Sequence, residues 1–342
     1  MNSDLYSLIN HAHHLYLQNF PPTTCFERAV FFSWGCTIGD CGFCYMSTQP
    51  AGKKPTETKR STESILAEFI LAKNLGWEIG FFTGGIGVFT PNEMEALLKA
   101  ILEITSEKIW LSIGPISPPL LPRYLPYIKG VVGSTETINP ELHKIVCPSK
   151  PLKPYERMFA AATELGLKRA MTFIVGMGEQ KEDLILLQNF ITRYSIDKIH
   201  IYGLVPHPGT VFEQAPIPSK EEQAWWIAQL RIAFPTLDIQ CGVWEDRIGN
   251  VSLLLKAGAN SISKFRATAL FGTPLAQELE RQAALAGRKF RGTLTLLPAL
   301  DWDGEIEKLS FSGELKEKIQ GKLYEYITKM QRNKPISLPQ TI

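Results

Sequence analysis

Three cysteines lie close together in the first part of the chain: Cys36, Cys41 and Cys44 follow a C-x4-C-x2-C spacing. Cysteine thiolates bind zinc and iron–sulfur clusters, and both a structural zinc ion and an ordinary 4Fe–4S cluster take four protein ligands. Three cysteines therefore leave one coordination position for another ligand. The site is either a zinc site closed by a distant residue, such as Cys25, Cys147 or a histidine, or a cluster with one open iron.

The elements that must position this loop are predicted from the alternation of apolar runs and amphipathic segments. Helices are predicted at residues 62–75, 92–105, 155–165, 183–194, 221–233, 251–257 and 314–331. Strands are predicted at residues 28–34, 79–83, 109–113, 130–134, 170–175, 198–205, 237–241 and 261–265. Eight strands that alternate with helices indicate an α/β protein, a (β/α)8 barrel of the TIM type.

The special residues of the sequence fall at one end of this predicted barrel. The cysteine loop, Thr83-Gly84-Gly85, Glu136 and Cys241 all lie at or near the C-terminal ends of strands, where such barrels carry their chemistry. We expect residues 25–290 to form the barrel, with an N-terminal helical extension at 1–24 and a C-terminal helical extension at 291–342.

The bulk composition limits the partners and the location. The chain has 342 residues and a net charge of +2, so the charge gives no reason to expect a nucleic-acid or membrane partner. The sequence has neither an apolar run long enough for a transmembrane helix nor the order of a signal peptide. We therefore expect a cytoplasmic protein with reduced thiols, in which clustered cysteines indicate metal binding or catalysis.

The cysteine loop and the Thr83-Gly84-Gly85 segment resemble those of radical S-adenosylmethionine (SAM) enzymes. The resemblance implies a 4Fe–4S cluster whose open iron is chelated by SAM, which is cleaved to a 5′-deoxyadenosyl radical. It also implies that Phe43 contacts the adenine and that Thr83, Gly84 and Gly85 bind the SAM amino group through the backbone. The usual spacing in that superfamily is C-x3-C-x2-C, and this chain has one residue more.

Within the superfamily, the segment at residues 134–142 (STETINPEL) resembles biotin synthase. The resemblance implies that Glu136 holds the SAM ribose and that Lys150 pairs with the SAM carboxylate, with Lys153 as a substitute if the register differs. Independently of the resemblance, Arg266 follows the last predicted strand and is a candidate anion contact.

The chain also departs from biotin synthase, which holds a second cluster inside its barrel. Trp110 and Ala170 stand where that enzyme has ligands, and neither side chain can bind iron. Cys25, Cys147 and Cys241 remain. Strand ends converge in a barrel, so these three are candidates for a different auxiliary cluster. The alternative is that they are buried thiols, because free cysteine is among the most buried residue types.

A narrower resemblance is to archaeal-type two-component lipoyl synthases. It rests on residues 44–49 (CYMSTQ), 143–150 (HKIVCPSK), 208–210 (PGT) and 257–260 (AGAN). It implies sulfur insertion into a protein-bound octanoyl chain, a second radical SAM component and an octanoylated lipoyl-carrier protein. A ferredoxin or flavodoxin would be the electron donor. The alternatives are a radical SAM enzyme without sulfur insertion, acting in cofactor biosynthesis or carbon-skeleton rearrangement, and a non-catalytic zinc-binding scaffold.

Overall fold

Eight parallel strands form the centre of the protein in the computed structural model, which describes residues 3–48 and 54–332. Gln49 of the CYMSTQ motif and residues 333–342 of the predicted C-terminal extension lie outside the described residues. The strands are hydrogen-bonded in chain order: β2 Glu27–Phe31, β3 Glu78–Thr83, β4 Ile109–Ser112, β5 Ile128–Glu136, β6 Lys168–Val175, β7 Lys198–Gly203, β8 Asp238–Gly242 and β9 Ser261–Ser263. All eight predicted strands are confirmed.

A parallel bridge between Phe26 and Ile262 joins the two ends of the sheet, so the strands form a nearly closed barrel. A further parallel pair, β1 Thr23–Cys25 and β10 Lys289–Arg291, lies beside it and was not predicted from the sequence. Each of these strands has three residues, too few for an alternation of apolar and polar side chains to be recognised. The domain boundaries predicted at residues 24 and 290 both fall inside this pair, and they stay predictions.

Helices surround the barrel and bury their apolar faces against it. They are α1 Ser3–Asn19, α2 Thr62–Asn74, α3 Pro91–Thr105, α4 Leu121–Tyr124, α5 Pro140–Val146, α6 Lys153–Glu164, α7 Asp183–Arg193, α8 Lys220–Ala233, α9 Val251–Lys256, α10 Ala267–Leu270, α11 Pro274–Leu285, α12 Trp302–Glu307 and α13 Gly313–Arg332. The seven predicted helices are confirmed to within two residues. Within the described part of the chain, no helix is long and apolar enough to cross a membrane.

The short helix α5 was missed, and it matters because it leads to two candidate site residues. Asn139 begins it: the side-chain oxygen accepts hydrogen bonds from the backbone N–H groups of Glu141 and Leu142, at 3.0 and 3.2 Å, and Pro140 takes the first helical position. The helix ends at Val146, so the chain places Cys147 and then Lys150 directly after it.

A buried charge network closes the N-terminal end of the barrel. The Lys198 ammonium donates to Glu27 Oε1 at 2.6 Å and to Asp238 Oδ2 at 2.8 Å. Ser261 and Gln240 also donate to the Glu27 carboxylate, at 2.5 and 3.0 Å. Burial alone would raise the pKa of Glu27, but the positive charge of Lys198 outweighs it and lowers the pKa to about 2. This end of the barrel is therefore held by charge pairing, and the chemistry lies at the other end.

The network predicts acid-dependent stability. Because the folded pKa of Glu27 is depressed, its contribution is complete above the unfolded pKa of about 4.3 and is lost as the pH falls through about 2. We expect Glu27→Gln to flatten the dependence of the unfolding free energy on pH between about 4.3 and 2. Urea unfolding followed by circular dichroism measures it, with the more exposed Glu78→Gln at the same end as control. Parallel curves for wild type and Glu27→Gln would contradict the assignment.

Candidate functional site

The cysteine loop follows β2 and is fixed against the loop after β3. The Ile86 backbone N–H donates to Cys36 Sγ at 3.3 Å, and the Thr37 N–H donates to the Ile86 carbonyl oxygen at 3.0 Å. The Cys44 N–H donates to the Cys41 carbonyl oxygen at 3.0 Å, so these two cysteines flank a tight turn. The loop therefore sits at the C-terminal end of the barrel, as the sequence predicts.

The glycines after β3 allow the two loops to touch. A Cβ atom added at Gly85 would lie 1.6 Å from the Gly35 carbonyl oxygen, and one at Gly84 would lie 2.3 Å from the Phe32 ring. Any side chain at Gly85 would push the cysteine loop away. The Thr83 carbonyl oxygen accepts from the Phe32 N–H at 2.7 Å. The structure thus brings Thr83, Gly84 and Gly85 together with the loop, which fits a backbone binding site beside a loop-bound metal.

Two of the three loop thiols, Cys41 and Cys44, have raised pKa values in this fold. The Cys147 side chain and burial raise the pKa of Cys41 far above its ordinary value, and burial raises the pKa of Cys44 to about 11. No three Cys, His, Asp or Glu side chains among the described residues surround a common point at metal-ligand distance, the loop cysteines included. Cluster binding would therefore draw Cys36, Cys41 and Cys44 together and displace their protons. The donor set, three thiols on one short loop, fits a cluster.

Glu136 and Lys150 form a buried ion pair beside the loop. Lys150 Nζ lies 3.0 Å from Glu136 Oε1, and the Thr172 hydroxyl donates to Glu136 Oε2 at 2.9 Å. Burial alone would lower the pKa of Lys150, but Glu136 reverses that and holds the pKa well above its ordinary value. Lys150 Nζ also lies 5.9 Å from the Phe43 ring centroid. Phe43, Glu136 and Lys150 are thus gathered next to Cys44.

The structure also narrows the choice of lysine. Lys153 has a side chain that is 75% exposed, and its only ion pair among the described residues is with Glu156 at 3.8 Å. It lies at the start of α6, on the surface, so it is not a substitute for the buried Lys150. Glu136 has a left-handed backbone with φ of 64°, which turns the chain at the end of β5. A strained residue of this kind is typical of functional sites.

The expectation that Cys25, Cys147 and Cys241 meet is wrong. Cys147 contacts Cys41, and the adjacent backbone groups are bonded, Gly42 N–H to the Val146 carbonyl oxygen at 2.8 Å. Cys25 lies on β1 at the opposite end, where an Arg291 N–H points to its sulfur at 3.6 Å. Cys241 points away from the barrel interior, into the apolar core between the strands and the helices. Its thiol donates to the Ser261 carbonyl oxygen at 3.4 Å.

The physical reason is the alternation of side chains along a strand. Gln240 points into the barrel, where it donates to Glu27, so its neighbour Cys241 must point out toward the helices. The sequence did offer a signal, because Cys241 follows the apolar Leu237 and Ile239 at alternate positions, with the polar Asp238 and Gln240 between them. Trp110 and Ala170 pack together in the apolar cluster inside the barrel, where neither can ligate iron.

The sequence interpretation did not identify one residue of the site, Lys264. Lys264 directly follows β9 with a left-handed backbone, φ of 73°, and its Nζ lies 4.3 Å from the Tyr202 ring centroid and 5.9 Å from that of Trp244. Burial lowers the pKa of Lys264, and the opposing electrostatic interaction with Glu136 offsets only part of that effect. Arg266, the anion contact expected from the sequence, is instead 62% exposed and pairs with Glu245 at 2.5 Å. A lone lysine after a strand has no motif that could have identified it.

Comparison with known proteins gives one family and several relatives. The family model described as the radical SAM superfamily matches residues 30–191. An uncharacterised protein of Methanocaldococcus jannaschii is 34% identical over 92% of both chains. A biotin synthase of Nitratidesulfovibrio vulgaris is 27% identical over 73% of this chain and 70% of its own.

Two solved structures show the same fold. Methylornithine synthase aligns with a TM-score of 0.69 at 21% identity and covers 77% of this chain and 78% of its own. The FeFe-hydrogenase maturase HydG of Carboxydothermus hydrogenoformans aligns with a TM-score of 0.69 at 15% identity, over 97% of this chain and 84% of its own. At these identities the likeness extends to the barrel and its helices and not to a substrate.

Proposed function

The chain belongs to the radical SAM superfamily, and on that premise we propose that it abstracts hydrogen from its substrate without inserting sulfur. It is a radical SAM enzyme, and the cofactors of the family are a 4Fe–4S cluster and SAM. When bound, they supply an electron and a 5′-deoxyadenosyl radical, chemistry that protein side chains lack. The protein binds and orients the cofactors and the substrate, and it excludes water from the site.

Each residue of the site would make a different contact with the cluster or with SAM. Cys36, Cys41 and Cys44 would hold the cluster. The backbone at Thr83–Gly85 would receive the SAM amino group, and Lys150 its carboxylate. Glu136 would then accept hydrogen bonds from the ribose hydroxyls, and Phe43 would contact the adenine.

One observation carries the proposal. The cysteine loop touches Gly85 on one side, and the buried Glu136–Lys150 pair lies next to it on the other. A buried ion pair adds little to stability by itself, because the cost of removing both charges from water offsets their Coulombic attraction. The pair supports a binding role, since SAM offers both a carboxylate for the lysine and hydroxyl groups for the glutamate.

Sulfur insertion into an octanoyl chain is the alternative that the narrower resemblance suggests. It needs a second cluster as sulfur source, and the separation of Cys25, Cys147 and Cys241 argues against that. The second radical SAM component and the octanoylated carrier belong to this alternative. An electron donor of the ferredoxin or flavodoxin type is part of our proposal, because the proposed reaction consumes an electron.

Iron analysis separates the two proposals. We expect about four irons and four sulfides per chain after anaerobic reconstitution, because one set of cysteines is suited to a cluster. A variant with Cys25, Cys147 and Cys241 all changed to alanine is expected to retain the same content. A content near eight irons, falling to four in that variant, would overturn the proposal in favour of sulfur insertion.

A further inference from the structure

Lys264 is half-buried and differs from Lys198 and Lys150, the two fully buried lysines of the barrel, in its partners. Lys198 is paired with Glu27 and Asp238, and Lys150 is paired with Glu136. Among the described residues, no carboxylate lies within ion-pair distance of the Lys264 ammonium group. The ammonium group instead lies over the faces of Tyr202 and Trp244. The half-buried ammonium group therefore has cation–π contacts but no counter-charge, and aromatic faces attract a cation less strongly than a carboxylate does.

The surroundings keep this lysine in place. Its backbone is left-handed, a conformation that costs a non-glycine residue free energy and persists only where neighbouring structure imposes it. Gly242 on the adjacent strand leaves the necessary room, because a Cβ there would lie 2.3 Å from the Tyr202 ring and 3.1 Å from Lys264 Cγ. The charged group is thus held at the C-terminal end of the barrel, close enough to Glu136 for an electrostatic interaction.

The neighbouring charged groups already have partners. Both Glu136 oxygens accept hydrogen bonds, from Lys150 and from Thr172. Arg266, the next cation along the chain, is at the surface with Glu245. Lys150 and Arg266 thus have carboxylate partners, whereas Lys264 has none within ion-pair distance among the described residues, so an anionic ligand group would supply the missing charge.

We propose that Lys264 binds a carboxylate of the substrate, which is therefore a small organic acid and not a neutral alkyl chain. The inference rests on the proposed function for the position of the substrate, at the same barrel end as the cluster loop. The Tyr202 and Trp244 rings would flank the carboxylate and its first carbons. An acid held there would present its carbon chain toward the cofactor loop.

The test is calorimetric titration of the reconstituted protein, with SAM present, using butanoate and its neutral analogue butyramide. We expect wild type to bind butanoate at least about tenfold more tightly than Lys264→Met does, since a hydrogen bond to a charged group is lost. Butyramide should bind weakly and equally to both. Lys264→Arg keeps the charge and should retain most of the affinity, and the surface variant Arg266→Met should match wild type.

Three results would overturn the inference. They are equal butanoate affinity in wild type and Lys264→Met, equal affinity of wild type for the two probes, and the absence of butanoate binding to wild type. A loss of SAM affinity in Lys264→Met would also overturn it, since the lysine would then serve the cofactor. Failure of the proposed function is a separate result: wild type would form no 5′-deoxyadenosine from SAM, while the butanoate titration could still be read.

Discussion

Replacing Cys36, Cys41 and Cys44 together with alanine is expected to give a colourless protein with no bound iron and no SAM cleavage. Iron–sulfur clusters are held by cysteine thiolates, and the remaining cysteines, Cys25, Cys147 and Cys241, lie apart from one another. The loss should be complete and not graded, because the removed residues are the whole ligand set.

Iron and sulfide analysis, with the visible absorption of the cluster, measures this effect. The control is Cys241→Ala, which removes a cysteine that faces the core on the outside of the barrel. It should keep the cluster and lose some stability, by about 1–3 kcal/mol for a small buried group. Cluster retained in the triple variant would contradict the assignment and would point to Cys25 or Cys147.

The second large effect is expected at the Glu136–Lys150 pair. Removal of both charges should restore stability but not SAM binding. Lys150→Met leaves a buried carboxylate without its counter-charge, and we expect the unfolding free energy to fall by about 3–5 kcal/mol. The double variant Glu136→Gln/Lys150→Met removes both charges and should recover most of that loss. Both variants should bind SAM at least about tenfold more weakly than wild type, because each lacks a charge-assisted hydrogen bond.

Urea unfolding and SAM titration of wild type, Lys150→Met and the double variant test this expectation. Lys153→Met serves as the control, because that side chain is exposed, and it should change the unfolding free energy by less than about 0.5 kcal/mol. A double variant that regains both stability and SAM affinity would show that the pair is structural and would contradict its role as a ligand contact.

The fold could be predicted because its signals are repeated along the chain. Helix α2 shows this well: Ile65, Leu66, Phe69 and Ile70 recur at helical spacing, and all four are buried. The strands of the barrel are apolar runs of ordinary length. The paired strands β1 and β10 could not be predicted, since three residues carry no period and their partner lies far away in sequence.

The site could be predicted where one short segment carries the chemistry, and not where distant segments meet. The loop of Cys36, Cys41 and Cys44 is visible in the sequence, and the structure brings Thr83–Gly85 and Glu136 beside it. The meeting of Cys41 with Cys147 was not foreseen, because it depends on where helix α5 ends. The face of β8 that carries Cys241, by contrast, depends only on the alternation of side chains along that strand, and the sequence interpretation overlooked this alternation.

The most direct test of the account is the product formed from SAM by the reduced protein. Anaerobically reconstituted protein is treated with dithionite and SAM, and 5′-deoxyadenosine and methionine are quantified, with the triple cysteine variant as blank. The account predicts that both products form in equal amounts with wild type and that neither forms with the variant. An iron-loaded wild type that forms no 5′-deoxyadenosine, or a protein that takes up one zinc ion and no iron, would contradict it.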